Sequence, residues 1–326
     1  MRIGIVGAGV AGLACAEGLS KYKCDVVLLD KGRGPGGRMS TRRVPTAAGE
    51  VGFDHGAQYF TVRDAEFRRR VESWISDRVV APWPAAGPAA YVGLPAMSAP
   101  IKQMAIGQST RFSSQVVQIE KSDSKWQLVL DQRELIQVDI VVVATPAEQA
   151  GALLASAAPD FAARAAAIRS TPCWTTMLAF AGPLALDQDC LRGDDKDALA
   201  WAARNSAKPG RTGPEAWVLQ ASPDWSRAHL EADAGWVTTA LSAVFSQRLG
   251  TALPPPIASV SHRWRYANAL GQTSSLAWDA ERRIGLCGDW LGGGCVEAAW
   301  LSGTRLAAQI ASSLPTGLPQ HSSIPG

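Results

Sequence analysis

The chain has 326 residues, 47% hydrophobic and 19% charged, with 32 Lys plus Arg against 29 Asp plus Glu and a formal charge of +3. That length holds one large or two medium domains with a substantial core, and without a run of five like charges the balance argues against a nucleic-acid or membrane-surface binder. Cysteines 15, 24, 173, 190, 287 and 295 form no Cys-x-x-Cys and have no nearby His ligands, so zinc, iron–sulfur and a redox dithiol are disfavoured, no metal is expected, and reduced thiols in a cytoplasmic protein follow.

Residues 2 to 6 predict a short buried strand, and residues 10 to 21 a helix; between them runs Gly7-Ala8-Gly9-Val10-Ala11-Gly12. A strand feeding a helix through Gly-x-Gly-x-x-Gly is a phosphate site. Gly7 permits the tight turn, Gly9 lets the backbone approach a pyrophosphate, and Gly12 brings the helix close to the strand. The helix start adds free N–H groups and a positive dipole end. This pattern also argues that the first eighteen residues are mature protein and no secretory signal. Residues 25 to 29 predict a second strand ending at Asp30, whose carboxylate suits the ribose hydroxyls of an adenosine and disfavours a 2′-phosphate there.

From Lys31 to Arg42 the chain is too rich in Gly and Pro for a helix. Its flexible backbone and Arg38 suit a loop folded over a long, permanently held dinucleotide such as FAD; a plain surface loop is the alternative. Residues 51 to 61 read as a strand beside a ligand. Residues 64 to 75 predict a helix with Phe67, Val71 and Ile75 on one face, and Arg68-Arg69-Arg70 on its solvated side. Residues 81 to 100, rich in Pro and Ala, predict a crossing between domains or a lid.

A meander is predicted over 111–120, 126–131 and 135–143, ending in Ala144-Thr145-Pro146, where small residues let backbone sit close to a ligand. Helices follow at 147–156 and 160–168. Strands at 173–181, 216–221 and 257–266, with a helix at 233–249, predict a separate sheet. The segment Ile284-Gly285-Leu286-Cys287-Gly288-Asp289-Trp290 then leads into a helix over 296–312, a second anion-facing helix start at Val296 and Glu297. Cys295, just before it, reads as a small buried thiol. A flexible tail is expected over 313–326, and no stretch of 18 uncharged apolar residues predicts a membrane span.

Several blocks carry a resemblance: 34–43 (Gly-Pro-Gly-Gly-Arg-Met-Ser-Thr-Arg-Arg), 54–61 (Asp-His-Gly-Ala-Gln-Tyr-Phe-Thr), 203–209 (Ala-Arg-Asn-Ser-Ala-Lys-Pro), 262–266 (His-Arg-Trp-Arg-Tyr), Cys287-Gly288-Asp289-Trp290 and 297–303. They make the chain similar to the FAD-dependent amine oxidase and renalase superfamily, and more narrowly to bacterial renalase-like oxidases. The resemblance implies an α/β fold, a p-hydroxybenzoate hydroxylase-type FAD-binding Rossmann-like domain (1–75, 96–165, 271–312) with a smaller inserted antiparallel-sheet substrate domain (76–95, 166–270). It implies FAD held without a covalent bond by Gly7, Gly9, Val10, Ala11, Gly12, Asp30, Lys31, Gly37, Arg38, Met39, Gly56, Ala57, Gln58, Tyr59, Ala144, Thr145, Pro146, Gly288, Asp289, Val296 and Glu297. It further implies oxidation of isomeric dihydronicotinamide dinucleotides to NAD(P)+, with dioxygen reduced to hydrogen peroxide.

Independently of the resemblance, the single full dinucleotide fingerprint means that a reductant must meet the flavin directly. Hydride transfer from a dihydropyridine needs stacking and alignment more than a general base. His262, Gln58, Tyr59 and Trp264 are the candidate positioning residues, and Tyr266 and Trp290 the candidate substrate-facing aromatics. For each aromatic a core role is the competing reading, and for His262 a structural one. Arg204 and Lys208, with Arg211, form an acid-free run that could take a substrate pyrophosphate. A flavin-dependent amine oxidase and a non-catalytic FAD-binding protein are the alternative functions.

Overall fold

The computed structural model describes residues 1–47, 49–194, 196–269 and 277–314. Of the flexible tail expected over 313–326, Ser313 ends the helix Val296–Ser313 and Leu314 caps it, while 315–326 lie outside the described residues. The described residues divide into two compact units, the first drawn from 1–37, 101–169, 269 and 277–314, the second from 38–100 and 170–268.

The first unit is built on a six-stranded sheet in the order Ala277–Asp279, Ile284–Leu286, Ile140–Val143, Arg2–Val6, Asp25–Leu29, Ser109–Arg111. All its pairings are parallel except that of the outermost strand, Ala277–Asp279. Its central strands read Ile-Gly-Ile-Val and Ile-Val-Val-Val, the continuous apolar runs of a sheet covered on both faces. On one face lies a meander of Val116–Ser122, Lys125–Leu130 and Leu135–Val138. Gly4 makes room for it, since a Cβ there would lie 2.7 Å from Leu128 and 3.0 Å from Val138. The helices Val10–Leu19 and Val296–Ser313 pack together at small residues: a Cβ on Gly303 would stand 2.1 Å from the Ala11 carbonyl oxygen, and one on Gly18 would stand 2.5 Å from Ala307 Cβ.

The predicted run 135–143 is two strands. Leu135–Val138 closes the meander, while Ile140–Val143 joins the parallel sheet beside Arg2–Val6. Asp139 divides them, its N–H donating to the Arg2 carbonyl at 2.8 Å and its carboxylate accepting from the Arg2 N–H at 2.7 Å.

The second unit centres on a five-stranded sheet, Cys190–Arg192, Leu199–Arg204, Glu215–Ala221, Ser170–Phe180, Ala258–Ala269. One face is covered by helix Ala234–Leu249 through Val237, Leu241 and Phe245. Asp233 caps that helix from the Gly235 and Trp236 N–H groups, and Gly250 ends it in a left-handed conformation. The other face packs Met177, Ala179, Ala216 and Val218 against Val51 and Phe53 of a hairpin, Thr41–Thr46 and Gly49–Asp54. That packing draws residues 38–75 into this unit, whereas the sequence assigned them to the nucleotide domain.

The segment 81–100 also departs from expectation. It supplies Val80–Pro82 and Ala90–Gly93 to a three-stranded sheet with Phe60–Thr61. The helix Ala65–Ser76 buries Phe67, Val71 and Trp74, not Ile75. Spacing alone leaves 74 and 75 on adjoining positions of the stripe, and the larger indole takes the interior.

Candidate functional site

In the first unit, the two glycine-rich loops converge. Gly7 lies at φ +108°, and its N–H donates to the Leu29 carbonyl at 2.8 Å. A Cβ on Gly12 would fall 1.9 Å from the Gly7 oxygen, which fixes the helix against the turn. Gly9, by contrast, would meet nothing within 4 Å, so its backbone borders open space. The Gly34 to Gly37 loop returns there: Gly37, at φ +50°, would place a Cβ 3.6 Å from the Gly9 Cα. The helix that begins at Val10 has no side-chain cap and no acid in its first turn, so its leading N–H groups are left for an anion.

Asp30 holds this cradle together. One carboxylate oxygen accepts from the Ala8 N–H at 2.7 Å and the other from the Gly32 N–H at 2.6 Å, each retaining a lone pair for a hydroxyl. Lys31 is exposed beside it. Ala144 bonds back to the Val6 carbonyl at 2.8 Å, which sets 144–146 at the same end of the parallel strands as Gly7. At the neighbouring strand end, the Gly288 N–H donates to Ser302 Oγ at 3.1 Å, and Asp289 is buried. Val296 and Glu297 open the last helix, with Cys295 as its cap, its Sγ accepting from the Ala298 N–H at 3.4 Å. Cys295 is exposed rather than buried as expected, because the cap position lies outside the helix proper.

Trp290 corrects a second expectation. It is 1% exposed, packed in the core of the first unit, with its indole N–H on the Thr145 carbonyl at 3.0 Å. It is a structural aromatic, satisfied at both its apolar body and its polar tip.

The second unit carries Arg38, Met39, residues 56–59 and the remaining candidates. Loop 54–59 is fastened at successive residues. The Gln58 amide donates to the Asp54 carbonyl and to the Gly56 carbonyl at 3.2 Å, and Gln220 donates to that same Gly56 oxygen at 2.8 Å. The Trp264 indole N–H donates to the His55 carbonyl at 2.8 Å, and the Ala57 N–H to the Arg38 carbonyl at 2.9 Å. Arg38 itself donates to the Ala267 carbonyl at 3.2 Å, and Met39 is buried. Tyr59 leans on Trp201 with ring centroids 5.6 Å apart.

His262, Trp264 and Tyr266 alternate along Ala258–Ala269, so their side chains share one face of that strand. His262 meets Trp264 edge-on at 4.5 Å and His55 at 5.0 Å, and His55 lies 5.0 Å from Trp264. Sequence reasoning left His55 without a role. Burial, then His262 and Arg42, hold its imidazole down at about 4, and its Nδ1 is buried without a hydrogen-bond partner. Burial and Arg42 likewise lower His262. Both rings are neutral at physiological pH.

The acid-free run 204–211 is not a free cationic mouth. Arg204 is tied to Asp189 at 3.1 Å, to Glu215 at 3.1 Å and to the Leu186 carbonyl, over the face of Trp217. Lys208 has no exposed side-chain surface and bonds to Asp54 Oδ2 at 3.3 Å and Gln58 Oε1 at 3.2 Å. Arg211 bonds the same Asp54 oxygen at 2.5 Å. Burial pushes the Asp54 carboxyl up, but Lys208, Arg211 and the Met97 N–H together hold it well below the usual carboxylate range. Asp54 is 154 residues from Lys208, so no local reading of residues 198–214 could reveal their acceptor.

Among the described residues no group of three or more His, Cys, Asp or Glu could hold a metal ion, and no helix is long and apolar enough to cross a membrane.

Comparison with known proteins agrees with the cradle. Residues 5–72 match the NAD(P)-binding Rossmann-like domain, and residues 87–311, more than half of the chain, match the model described as flavin containing amine oxidoreductase. The chain belongs to this family. It is a flavin oxidoreductase with FAD as its cofactor. The open backbone at Gly9, the uncapped helix start and the Asp30 lone pairs fit the adenosine diphosphate half of that cofactor. Among relatives, renalase from Mus musculus is 24% identical over 302 residues, 84% of this chain and 86% of that protein. Hydroxyneurosporene desaturase from Cereibacter sphaeroides is 43% identical over 63 residues, a stretch that spans 19% of this chain and only 12% of that protein. Cyclohexylamine oxidase from Brevibacterium oxydans IH-35A superposes with a TM-score of 0.69 at 13% identity, over 96% of this chain and 99% of that one, a likeness of fold.

Proposed function

We propose that this flavoprotein oxidises isomeric dihydronicotinamide dinucleotides to NAD(P)+, by hydride transfer to FAD held non-covalently, with dioxygen reduced to hydrogen peroxide. The observation that supports this reading is the removal of acid–base chemistry around the candidate positioning residues. His55 is held neutral down to about 4, His262 is lowered as well, and the Asp54 carboxylate is occupied by two cations. A dihydropyridine loses hydride to become an aromatic cation without proton transfer, so it needs flat contact surfaces and alignment. An alkylamine is protonated near neutral pH and must first give up a proton. In this reading His262, Trp264 and Tyr266 offer the contact surface, Gln58 and Tyr59 belong to the loop that orients FAD, and the Gly7 to Gly12 loop is reserved for the cofactor. The similarity to renalase over 84% of this chain supports the substrate class that the resemblance implies.

Membership of the amine oxidoreductase family keeps oxidation of a neutral amine between aromatic side chains as a second reading. Anaerobic rapid mixing separates the two. Loss of the oxidised flavin absorbance on the millisecond to second scale with 2- or 6-dihydronicotinamide dinucleotide, and none with primary or secondary amines, is the expected result. Fast bleaching by amines alone would overturn it.

A further inference from the structure

The structure assigns Lys208 a positioning role. We infer that it holds the loop 54–59 in shape by fixing the orientation of the Gln58 side-chain amide. This inference rests on residues 56–59 bordering FAD, as the proposed function has it, and is independent of which donor reduces the cofactor.

An ammonium group can only donate hydrogen bonds, so the side-chain atom of Gln58 that faces Lys208 Nζ at 3.2 Å is its carbonyl oxygen. That leaves the amide nitrogen of Gln58 directed at the loop, where it takes the Asp54 and Gly56 carbonyls. The Gly56 carbonyl is also held by Gln220. Gly56 has no latitude of its own, since a Cβ there would sit 2.0 Å from the Arg38 carbonyl oxygen. Turning the Gln58 amide over would set its NH2 group against the ammonium of Lys208 and its oxygen against two carbonyl oxygens. Lys208 therefore selects one of two amide orientations, and only that one closes the loop.

Lys208 is itself held in place from several sides. The short helical turn Asn205–Ala207 precedes it, and Asn205 pins the hairpin by donating to the Gly52 carbonyl at 2.9 Å and accepting from the Asp54 N–H at 3.3 Å. The groups that face its ammonium are Asp54, Gln58, Arg211 two bonds away through Asp54, the thiol of Cys190, and the ring of Trp83 at 5.2 Å. Two cations share one carboxylate in this interior. Burial draws the Lys208 ammonium down to about 8, with Asp54 opposing and Arg211 reinforcing the shift. Arg211 keeps its own contact with Asp54, so removal of Lys208 does not leave the carboxylate unpaired.

The test uses the FAD-loaded full chain and three variants, Lys208→Met, Gln58→Ala and the double variant, read by the visible flavin spectrum and by the rate of FAD release. Gln58→Ala should perturb the flavin bands and speed release about tenfold, as for a lost hydrogen bond to a charged partner. Lys208→Met should do the same, and the double variant should match either single one. Lys208→Arg, which retains a donor and does not titrate, should restore the spectrum, and a transition near pH 8 expected in the wild-type bands should be absent from it. Effects that add in the double variant, or a Lys208→Met holoenzyme with wild-type spectrum and release, would overturn the inference. If Gln58→Ala leaves the flavin untouched, the loop does not border FAD and the inference falls with it. A failure of the proposed substrate reading would show separately, in which donor bleaches the wild-type enzyme.

Discussion

Substituting alanine at Gly9 and at Gly12 should separate cofactor binding from stability within one six-residue loop. At Gly9 the backbone is extended, with φ −82° and ψ −173°, a conformation open to any residue, and an added Cβ meets no protein atom within 4 Å. The apoprotein should therefore keep its stability to within about 1 kcal/mol, with a lower unfolded-state entropy offsetting a slightly poorer helix cap. The methyl group instead occupies the space through which a pyrophosphate reaches the N–H groups of the helix start. Losing one such charge-assisted hydrogen bond costs about 1.5–3 kcal/mol, so the FAD dissociation constant should rise about ten- to a hundredfold. At Gly12 the added Cβ would lie 1.9 Å from the Gly7 oxygen, a backbone atom that cannot move without opening the turn. Gly12→Ala should lose both stability, by about 1–3 kcal/mol or more, and FAD affinity. Urea unfolding of the apoprotein and fluorescence titration with FAD make the comparison. A Gly9→Ala protein that binds FAD as tightly as wild type would refute the placement of the pyrophosphate at Gly9.

Three further outcomes follow from the same geometry. Gly303→Ala places a Cβ 2.1 Å from the Ala11 oxygen, so equilibrium unfolding should show a loss of about 2 kcal/mol or more, while Gly182→Ala, with nothing within 4 Å, should be nearly neutral. Asp54→Asn leaves Lys208 and Arg211 buried without their carboxylate and should cost about 3–5 kcal/mol in the same assay; a change under 1 kcal/mol would contradict the pairing. His55 has a folded-state value near 4 against an ordinary 6.5, so the unfolded chain binds the extra proton between them. Its contribution to stability is full above about pH 6.5 and is lost as pH falls toward 4, about 3 kcal/mol in all, and a His55→Asn variant should show a correspondingly flatter stability profile over that range.

The two units differed in how much of them could be read from the chain. The cradle was legible because its parts are local: Gly7 to Gly12 lie within one βαβ segment and Asp30 and Gly34 to Gly37 directly follow it, where glycine marks backbone that must turn or approach closely. The remainder depended on partners far apart in sequence. Ile140–Val143 looked like the end of a meander until its register with Arg2–Val6 placed it in the parallel sheet. Thr41–Thr46 was hidden behind a Gly-rich stretch, although its hairpin packing draws 38–75 into the second unit. Trp290 carried no mark to distinguish a core indole from a substrate-facing one. The pairing of His55 with His262 and Trp264 brings together residues more than two hundred positions apart. A burial signal did exist for His55, which follows the alternating run Val51, Phe53 on the hairpin's inner face.

The fate of the cations bears on how this protein recognises anions. Arg38, Arg204, Lys208 and Arg211 each donate to acceptors within their own unit, and the last three engage carboxylates. Around Gly9, the groups positioned for a phosphate are main-chain N–H groups at a helix start. Ion pairs between solvent-exposed side chains weaken as salt rises, because full charges in solvent are screened by the ion atmosphere, whose Debye length is about 10 Å at 0.1 M. Main-chain N–H groups bond at about 3 Å and carry only partial charges, so they bring less of the salt dependence that full side-chain charges bring. FAD affinity should accordingly change by less than about threefold between roughly 0.05 and 0.5 M sodium chloride, measured by apoprotein titration. A steep fall in affinity over that range would show that lysine or arginine side chains dominate cofactor binding, and that the backbone cradle does less than its geometry allows.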